Sequence, residues 1–327
     1  MPQKQPVQSV AKTPTVSREP QLNVESVSWG ELTWLNIERP TPADTDYLAQ
    51  HYPFHTLDLD DTLSRIQRPK IDEYEDYMFI VLHFPVWHRD TQIATATQLS
   101  IFIGKNYVVT LHNGDLRLLR ELFQNTKSSD VARQELMSHG SAFLVYRIID
   151  GLVDRCFTIL DKILGWMDAV ESAVFDENVE AAIELANLRR DVIAQRRIIW
   201  PLRSVIGELE AKLRRFATGD LEVYFGDVMD HLNKIWDTLD EVKEIIEVFK
   251  DTDFILSTDR LNRVMRILTV FSTILMPFLI VSSIYGMNVL MPGDVSSSNP
   301  LTLPILMVIM LGMTGAMLWY FRRRRWI

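Results

Sequence analysis

The end of the chain contains two long uncharged runs that no earlier part of the sequence matches. No Asp, Glu, Lys or Arg occurs between residues 267 and 291 or between 295 and 321, and Asp294 lies alone in the gap. A helix rises about 1.5 Å per residue, so about 20 apolar residues cross the hydrocarbon core of a bilayer. The pattern predicts two transmembrane helices, at 267–290 and 301–321, joined by a loop at 291–300.

Basic residues flank these runs on one side only. Three Arg residues between 260 and 266 precede the first run, four at 322–325 follow the second, and the loop at 291–300 has no Lys or Arg. Cytoplasmic loops of membrane proteins carry an excess of Lys and Arg. We therefore expect a multi-pass protein of the cell membrane with both termini in the cytoplasm, an outside loop and a basic tail at 322–327.

Residues 22–129 show the pattern of short strands. Three runs are rich in apolar and β-branched residues: Tyr77–Phe84, Ala96–Ile103 and Tyr107–Leu111. Gly104–Asn106, between the last two runs, is typical of a hairpin turn. This part is expected to form a cytoplasmic α/β domain.

Beyond residue 129 the strand signals stop, and three long helical stretches are expected at roughly 130–173, 179–217 and 220–290. In the third stretch, apolar residues repeat at alternating intervals of three and four, the a/d pattern of a helix that packs on other helices. They are Phe225, Val228, Leu232, Ile235, Leu239, Val242, Ile246 and Phe249. We expect this seam to contact partner helices; the alternative is packing on helices of the same chain.

The predicted fold class is an α+β membrane protein. An N-terminal α/β cytoplasmic domain is followed by a long helical stalk that continues into the first of two C-terminal transmembrane helices, since no strong helix breaker precedes Pro277. The expected parts ahead of the membrane are a disordered tail at 1–21, the α/β domain at 22–129, long cytoplasmic helices at 130–219 and the stalk helix at 220–266.

Charge and cysteine content narrow the function. The net charge is −9, although the basic tail adds four Arg residues, so the remainder is strongly acidic. Such a surface repels nucleic acid and suits cations. The single cysteine, Cys156, excludes a disulfide or a Cys-based zinc site within one chain and suits a reducing cytoplasm.

The first predicted membrane helix carries a stripe of small, flexible or mildly polar side chains. Its members are Asn262, Met265, Thr269, Ser272, Met276, Leu279, Ser283 and Gly286. Two membrane helices cannot enclose a polar path alone, so several copies would set this stripe around an axis as a pore lining; the alternative is that its small residues mark close helix packing.

The same interpretation assigns a gate and an entrance to the pore. Met265, Leu268 and Met276 would form hydrophobic rings that close the path by dewetting. Asp251 lies on the same line before the uncharged run, and its carboxylates would form a ring that attracts cations at the cytoplasmic approach.

The tetrapeptide Tyr285-Gly286-Met287-Asn288 closes the first uncharged run. The chain resembles the CorA family of magnesium channels, whose signature is the Gly-Met-Asn tripeptide. The tripeptide here has the family's position, before a short loop in a chain with a basic C-terminus. Further stretches resemble the family at 55–61 (HTLDLDD), 67–70 (QRPK), 200–203 (WPLR), 224–231 (YFGDVMDH) and 262–269 (NRVMRILT). The resemblance extends over nearly the whole chain.

The resemblance implies a homopentamer in membrane lipid with a funnel-shaped cytoplasmic domain, a pore-lining first membrane helix and an outer second one. It implies that Gly286, Met287 and Asn288, preceded by Tyr285, form the selectivity filter. It also implies that carboxylates between neighbouring cytoplasmic domains bind regulatory Mg²⁺ and hold the channel shut. The matching positions in this sequence are Asp60, Asp61, Asp150 and Asp227. Mg²⁺ is thus expected as both the transported and the regulatory ion, with Co²⁺ and Ni²⁺ as further candidates for transport.

The filter residues fit the chemistry of hydrated Mg²⁺. Mg²⁺ gives up its water reluctantly, and the bound waters point their hydrogens outward, towards acceptors such as the Asn288 amide oxygen and the Gly286 carbonyl. A neutral ring binds weakly enough to release the ion. Leu279 departs from the expected pattern, because family members can carry a small polar residue there, and a ring of leucines narrows and dries the path.

Two other functions stay open at this point. A related transporter of Zn²⁺, Co²⁺ or Ni²⁺ would share these features, although zinc relatives carry a different middle residue in the filter, so Met287 favours Mg²⁺. A membrane-anchored enzyme or sensor would need a constellation in the soluble part, but the sequence has no phosphate-binding Gly-rich loop, no HExxH and no Gly-x-Ser-x-Gly. The seven His residues lack zinc-site spacing. We therefore expect a channel and not an enzyme.

Overall fold

The computed structural model describes residues 22–64, 67–88, 93–176, 181–286, 302–324 and 326. The chain divides into two compact units. The first comprises Met1–Ala173 and Ile183–Ile246, and the second comprises Val174–Ala182 and Glu247–Ile327.

A six-stranded sheet forms the centre of the first unit. Its strands are β1 (Val24–Trp29), β2 (Leu32–Glu38), β3 (Lys70–Glu73), β4 (Tyr77–His88), β5 (Ile93–Gly104) and β6 (Tyr107–His112). They lie in the order β1-β2-β6-β5-β4-β3, with β2 and β6 parallel and the other neighbours antiparallel. The three predicted β-rich runs lie within β4, β5 and β6, and the predicted hairpin joins the last two.

Both faces of the sheet are covered by helices because the strands are apolar on both sides. Four short helices follow or separate the strands: α1 (Pro42–His51), α2 (Thr56–Leu63), α3 (Arg117–Ser128) and α4 (Asp130–Met137). Leu48 of α1 and Leu59 of α2 pack with strand residues such as Phe79 and Phe102 in one buried cluster. In α3, Phe123 meets the buried ring of Trp34 edge-on, with ring centroids 4.9 Å apart.

Long helices make up most of the remaining chain: α5 (Ser141–Phe175), α6 (Ala182–Leu213), α7 (Glu222–Tyr285) and α8 (Thr302–Arg323). The helical stretch expected at 130–173 is in fact two helices, α4 and α5. Gly140 separates them with a backbone φ of 88°, a conformation that glycine adopts without strain. The helix expected at 220–290 is α7, and it runs without a break from the first unit into the second.

The apolar seam of α7 is buried within a single chain. Seven of its eight residues, Phe225 to Ile246, lie in the first unit and are at most 2% exposed. Direct contacts with neighbouring helices include Tyr146 of α5 against Phe225 and the ion pair between Arg196 of α6 and Asp240. The expectation that this seam meets partner helices is therefore wrong, because α5 and α6 supply the apolar surface that it needs.

His112 ends β6 in a buried position. Only 2% of its surface is exposed, and its Nδ1 accepts a hydrogen bond from the Gly114 backbone N–H at 3.1 Å. Burial lowers the pKa of His112 to about 4, although the carboxylates of Glu38 and Asp115 oppose that shift. The ring is therefore neutral in the folded protein at physiological pH.

We expect the free energy of unfolding to decrease as the pH falls from about 6.5 to about 4, because only the unfolded state takes up a proton on this histidine in that window. The loss approaches about 3 kcal/mol at the acid end. His112→Asn retains an acceptor for Gly114 and should flatten this part of the profile. Urea unfolding at several pH values, followed by tryptophan fluorescence, measures the effect, and an unchanged slope in the variant would contradict the assignment.

Candidate metal centre and membrane helices

Two helices of the described chain are long and apolar enough to cross a membrane. They are the segments Glu222–Ile284 and Pro304–Arg323, and each contains an apolar stretch of membrane length. The rest of the chain buries only 6% and 11% of these two stretches, so they are not core helices of a soluble protein. Their surfaces suit hydrocarbon or other subunits.

The residues predicted to line a pore are all exposed in the single chain: Asp251, Asn262, Met265, Leu268, Ser272, Met276, Leu279 and Ser283. Leu279 is 67% and Met276 is 59% exposed, and large apolar side chains on the other faces of α7, such as Phe271 at 62%, are exposed to a similar extent. A stripe of this kind is available for contact with copies of the same chain.

The predicted filter lies at the boundary of the described residues. Tyr285 is the last residue of α7, and the Gly286 N–H donates a hydrogen bond to the Ser282 carbonyl at 2.9 Å. A Cβ added at Gly286 would lie 3.0 Å from that carbonyl oxygen, so a side chain here would require a small local shift of the backbone. Met287 and Asn288 lie outside the described residues.

The C-terminal end of α8 combines aromatic rings with guanidinium groups. Arg323 lies 5.4 Å from the centroid of Trp319, and Arg324 lies 5.7 Å from that of Tyr320. Phe321 stacks on Trp326 at 5.7 Å. Amphipathic rings beside basic groups are typical of the interface between hydrocarbon and lipid headgroups.

A cluster of three acidic side chains and one imidazole joins α5 and α7 in the first unit. One ligand atom from each of Asp150, Asp154 and His231 lies within 4.8 Å of the others. The His231 Nε2 is also 4.0 Å from the Asp227 carboxylate, one helical turn earlier on α7. We call Asp150, Asp154, Asp227 and His231 the metal cluster.

The imidazole of His231 is held between the two helices but is not fully partnered. Phe157 of α5 meets the ring edge-on, with centroids 5.4 Å apart. The Nδ1 atom is buried and lies 3.3 Å from an Asp154 oxygen, yet it has no hydrogen-bond partner among the residues that the structure describes. A buried nitrogen without a partner beside a carboxylate is what a coordinated cation or an ordered water would satisfy.

The acidic residues of the cluster repel one another. Burial raises the pKa of Asp150, and the negative charge of Asp154 raises it further, while Arg147 at 3.3 Å acts in the opposite direction. Asp227 adds to the repulsion. A bound divalent cation would relieve it, so cation binding and deprotonation of Asp150 are expected to favour each other.

The donor set fits more than one ion. Carboxylate oxygens are the ligands of Mg²⁺, which keeps several of its waters, and the exposed Asp154 and Asp227 leave room for a hydrated ion. An imidazole nitrogen is a better ligand for Zn²⁺, Co²⁺ or Ni²⁺. The cluster therefore supports binding of a divalent cation without deciding which one.

The other two predicted regulatory carboxylates have different surroundings. Asp60 is exposed on α2. The Lys70 Nζ lies 2.7 Å from Asp61 and 2.5 Å from Asp72, so an ammonium group already neutralises the carboxylate at Asp61. Burial disfavours the charged ammonium, but its hydrogen bonds and charge interactions with these two carboxylates outweigh that effect and raise the pKa of Lys70.

We expect Lys70→Met to convert this pair of carboxylates into a site that binds added Mg²⁺. In Mg²⁺-free buffer the variant should be less stable by about 1–2 kcal/mol, since the two like charges lose their common counter-ion in a half-exposed position. Millimolar Mg²⁺ should restore most of that loss and raise the melting temperature of the variant more than that of the wild type. Equal Mg²⁺-induced shifts in both proteins would contradict the role given to Lys70.

Sequence reasoning missed Asp154 and His231. A signal was present, because Asp150 and Asp154 lie four residues apart on one helix, and Asp227 and His231 lie four apart on another, which places each pair on one helix face. Nothing in the sequence alone shows that these two faces meet.

Comparisons with known proteins agree with this architecture. A family model described as CorA-like Mg²⁺ transporter protein matches residues 29–323. The cobalt/magnesium transport protein CorA of Thermotoga maritima is 28% identical over 298 residues, 90% of this chain and 83% of the relative. The divalent cation transporter CmaX of Pseudomonas aeruginosa is 24% identical over 301 residues, 91% of this chain and 88% of the relative.

A solved structure shares the fold. The CorA magnesium transporter of Methanocaldococcus jannaschii superposes with a TM-score of 0.78 and 22% identity, over 92% of this chain and 94% of that chain. An N-terminal α/β domain followed by a long helix and a C-terminal helix, as predicted from the sequence, is thereby confirmed.

Proposed function

This chain belongs to the CorA-like Mg²⁺ transporter family, and we propose that it is the subunit of a homopentameric channel that carries Mg²⁺ into the cell. The observation that carries the proposal is the single helix α7. It begins in the first unit, continues as an uncharged membrane segment with an exposed stripe of small and flexible side chains, and ends at Tyr285, directly before the Gly-Met-Asn tripeptide.

The exposed stripe supports an assembly of several copies. One chain has two membrane helices, which cannot surround an aqueous path, whereas α7 helices packed around an axis can. The number five comes from the family resemblance. The basic flanks support an orientation with both termini in the cytoplasm and the loop at 291–300 outside the cell membrane.

At the outer mouth, the Asn288 amide oxygens and Gly286 carbonyls would accept hydrogen bonds from the waters of a hydrated Mg²⁺. Gly286, where a Cβ would lie 3.0 Å from the Ser282 carbonyl oxygen, has no side chain and keeps the backbone accessible to the ion. Below the filter, Ser283 and Ser272 offer hydroxyl groups, and rings of Leu279, Met276, Leu268 and Met265 would close the path by dewetting.

Internal Mg²⁺ would regulate the channel through the metal cluster. When Mg²⁺ is abundant, an ion held by Asp150, Asp154, Asp227 and His231 removes the repulsion among their charges and stabilises the closed assembly. When Mg²⁺ is scarce, the repulsion returns and the open state gains population. A regulatory role for Asp60 and Asp61 is supported only by the family resemblance, because Lys70 already neutralises the charge of Asp61.

A second candidate function is transport of Co²⁺, Ni²⁺ or Zn²⁺ through the same pathway. His231 favours these ions as regulators, since an imidazole in the metal cluster is a better ligand for them than for Mg²⁺, but it does not lie on the proposed pore lining. Leu279 on the proposed pore lining also departs from the pattern expected for a magnesium channel.

Uptake into liposomes that contain the purified full-length protein tests both candidates. The vesicles hold an ion-sensitive dye and an inside-negative potential, and Mg²⁺, Co²⁺, Ni²⁺ and Zn²⁺ are supplied in turn. Mg²⁺ influx above that of protein-free vesicles supports the proposal. Influx of the transition metals without Mg²⁺ would support the second candidate, and no influx of any ion, at any internal Mg²⁺ concentration, would overturn both.

A further inference from the structure

The first unit contains a polar cavity against α5 that none of the side chains of the metal cluster lines. Its volume is about 670 Å³, within the range of small-molecule sites, and it is open to solvent. The end of β4, the start of α3 and the middle of α5 form its walls. No part of the proposed transport mechanism uses it.

Four basic side chains from two helices line this cavity: Arg117 and Arg120 on α3, and Arg155 and Lys162 on α5. The Arg120 side chain is held in the wall of the cavity, because it donates two hydrogen bonds of 2.8 Å to Glu38 and one of 2.7 Å to the Gly114 carbonyl. The other three are exposed and have long, mobile stems. They can therefore turn towards a ligand.

These three cations are poorly balanced by the protein. Asp115 and Glu121 also line the cavity, but Glu121 is 3.9 Å from Arg155, at the limit of an ion pair. Among the residues that the structure describes, neither Arg117 nor Lys162 has a carboxylate within 4.0 Å. Several guanidinium and ammonium groups around one cavity in an acidic protein attract a ligand with several negative charges.

An aromatic ring borders the same cavity. Trp87 lies near the end of β4, and the Lys162 Nζ is 5.0 Å from the centroid of its ring. An indole face beside a mobile ammonium group suits a planar aromatic group that stacks on the ring while a linked anion takes up the ammonium. A free carboxylate or phosphate would bind the basic groups but would make no stacking contact with the indole ring.

The walls of the cavity are fixed in place. Leu118 of α3 packs so closely on α5 at Gly151 that a Cβ there would lie 2.9 Å from a Leu118 methyl carbon. Arg120 ties the start of α3 to β2 through Glu38. Ligand binding therefore requires movement of the exposed side chains only, which keeps the cost of ordering low.

We propose that this cavity binds a nucleoside polyphosphate, with Arg117, Arg155 and Lys162 on the phosphates and Trp87 against the base. Arg155 is the neighbour of Asp154 on α5, so ligand in the cavity and cation in the metal cluster would influence each other through one helix. Binding itself does not depend on the proposed transport function.

The test measures binding of ATP, inorganic triphosphate and adenosine to the purified full-length protein by calorimetry, in Mg²⁺-free buffer. We expect ATP to bind more tightly than triphosphate, and adenosine to bind at least tenfold more weakly than ATP. The double variant Arg117→Gln/Arg155→Gln should weaken ATP binding at least tenfold. Lys105→Gln, which removes an exposed charge from the β5–β6 turn, should leave it unchanged.

Trp87→Leu distinguishes stacking of the base on the indole from binding of the phosphates by the basic side chains. It should reduce the affinity for ATP to that for triphosphate and leave triphosphate binding unaltered. Equal affinities for ATP and triphosphate in the wild type would overturn the nucleoside part, and no ATP binding at millimolar concentration would overturn the whole. If the double variant loses its oligomer size, the single variant Arg117→Gln replaces it, and undiminished ATP binding there counts against the site.

Discussion

Asn288→Ala is expected to reduce Mg²⁺ uptake into liposomes by tenfold to a hundredfold while leaving the oligomer intact. The amide oxygen is the only side-chain oxygen in the Gly-Met-Asn tripeptide, and a hydrogen bond to a charged partner contributes roughly 1.5–3 kcal/mol. Each 1.4 kcal/mol corresponds to about a factor of ten in binding. A ring of alanines would leave the ion's waters without these acceptors at the outer mouth.

Asn299→Ala provides the matched control, because it removes the same amide group from the predicted outside loop that follows the filter. Uptake by this variant should equal that of the wild type. Equal uptake together with equal discrimination against Ca²⁺ in wild type and Asn288→Ala, or an equal loss in both variants, would remove Asn288 from the filter. The assay also reports selectivity, and a variant that passes Ca²⁺ as readily as Mg²⁺ would support the filter even if total flux were retained.

The parts of the fold that the sequence predicts well are those that local patterns determine. Uncharged runs of membrane length, strand-forming runs of apolar and β-branched residues and a short Gly-containing turn each depend on neighbouring residues only. The a/d seam of α7 shows the limit of such patterns. It correctly indicates a helix that packs on helices, but the spacing carries no information on whether α5 and α6 or another subunit supplies the partner surface.

Of the candidate site, too, the sequence predicts only the features that local patterns determine. The stripe on α7 follows from the helical period, and the structure finds it exposed. The metal cluster and the Lys70 contact with Asp61 depend on which elements meet in space, here α5 with α7 and β3 with α2. The family resemblance indicated Asp150 and Asp227 as metal ligands but not Asp154 and His231. It also did not indicate that Lys70 of the same chain forms an ion pair with Asp61.

The double variant Asp150→Asn/Asp227→Asn is expected to make transport insensitive to internal Mg²⁺. Neutral amides do not repel one another as carboxylates do, and they bind a hydrated cation less tightly. The variant therefore loses both the charge repulsion and the cation-binding site. The Mg²⁺ concentration that halves uptake should rise at least tenfold. Because burial already disfavours the charged form of Asp150, an amide there should leave the fold intact.

His231→Gln distinguishes the regulatory ions within the same assay. Loss of the imidazole should weaken inhibition by Co²⁺ or Ni²⁺ more than inhibition by Mg²⁺, since these ions prefer a nitrogen ligand. Asp168→Asn, an exposed carboxylate on α5 outside the cluster, is the control and should retain the wild-type response. If the double variant is still half-inhibited at the wild-type Mg²⁺ concentration, the metal cluster does not regulate transport, and its two helices hold these charges together for a structural reason only.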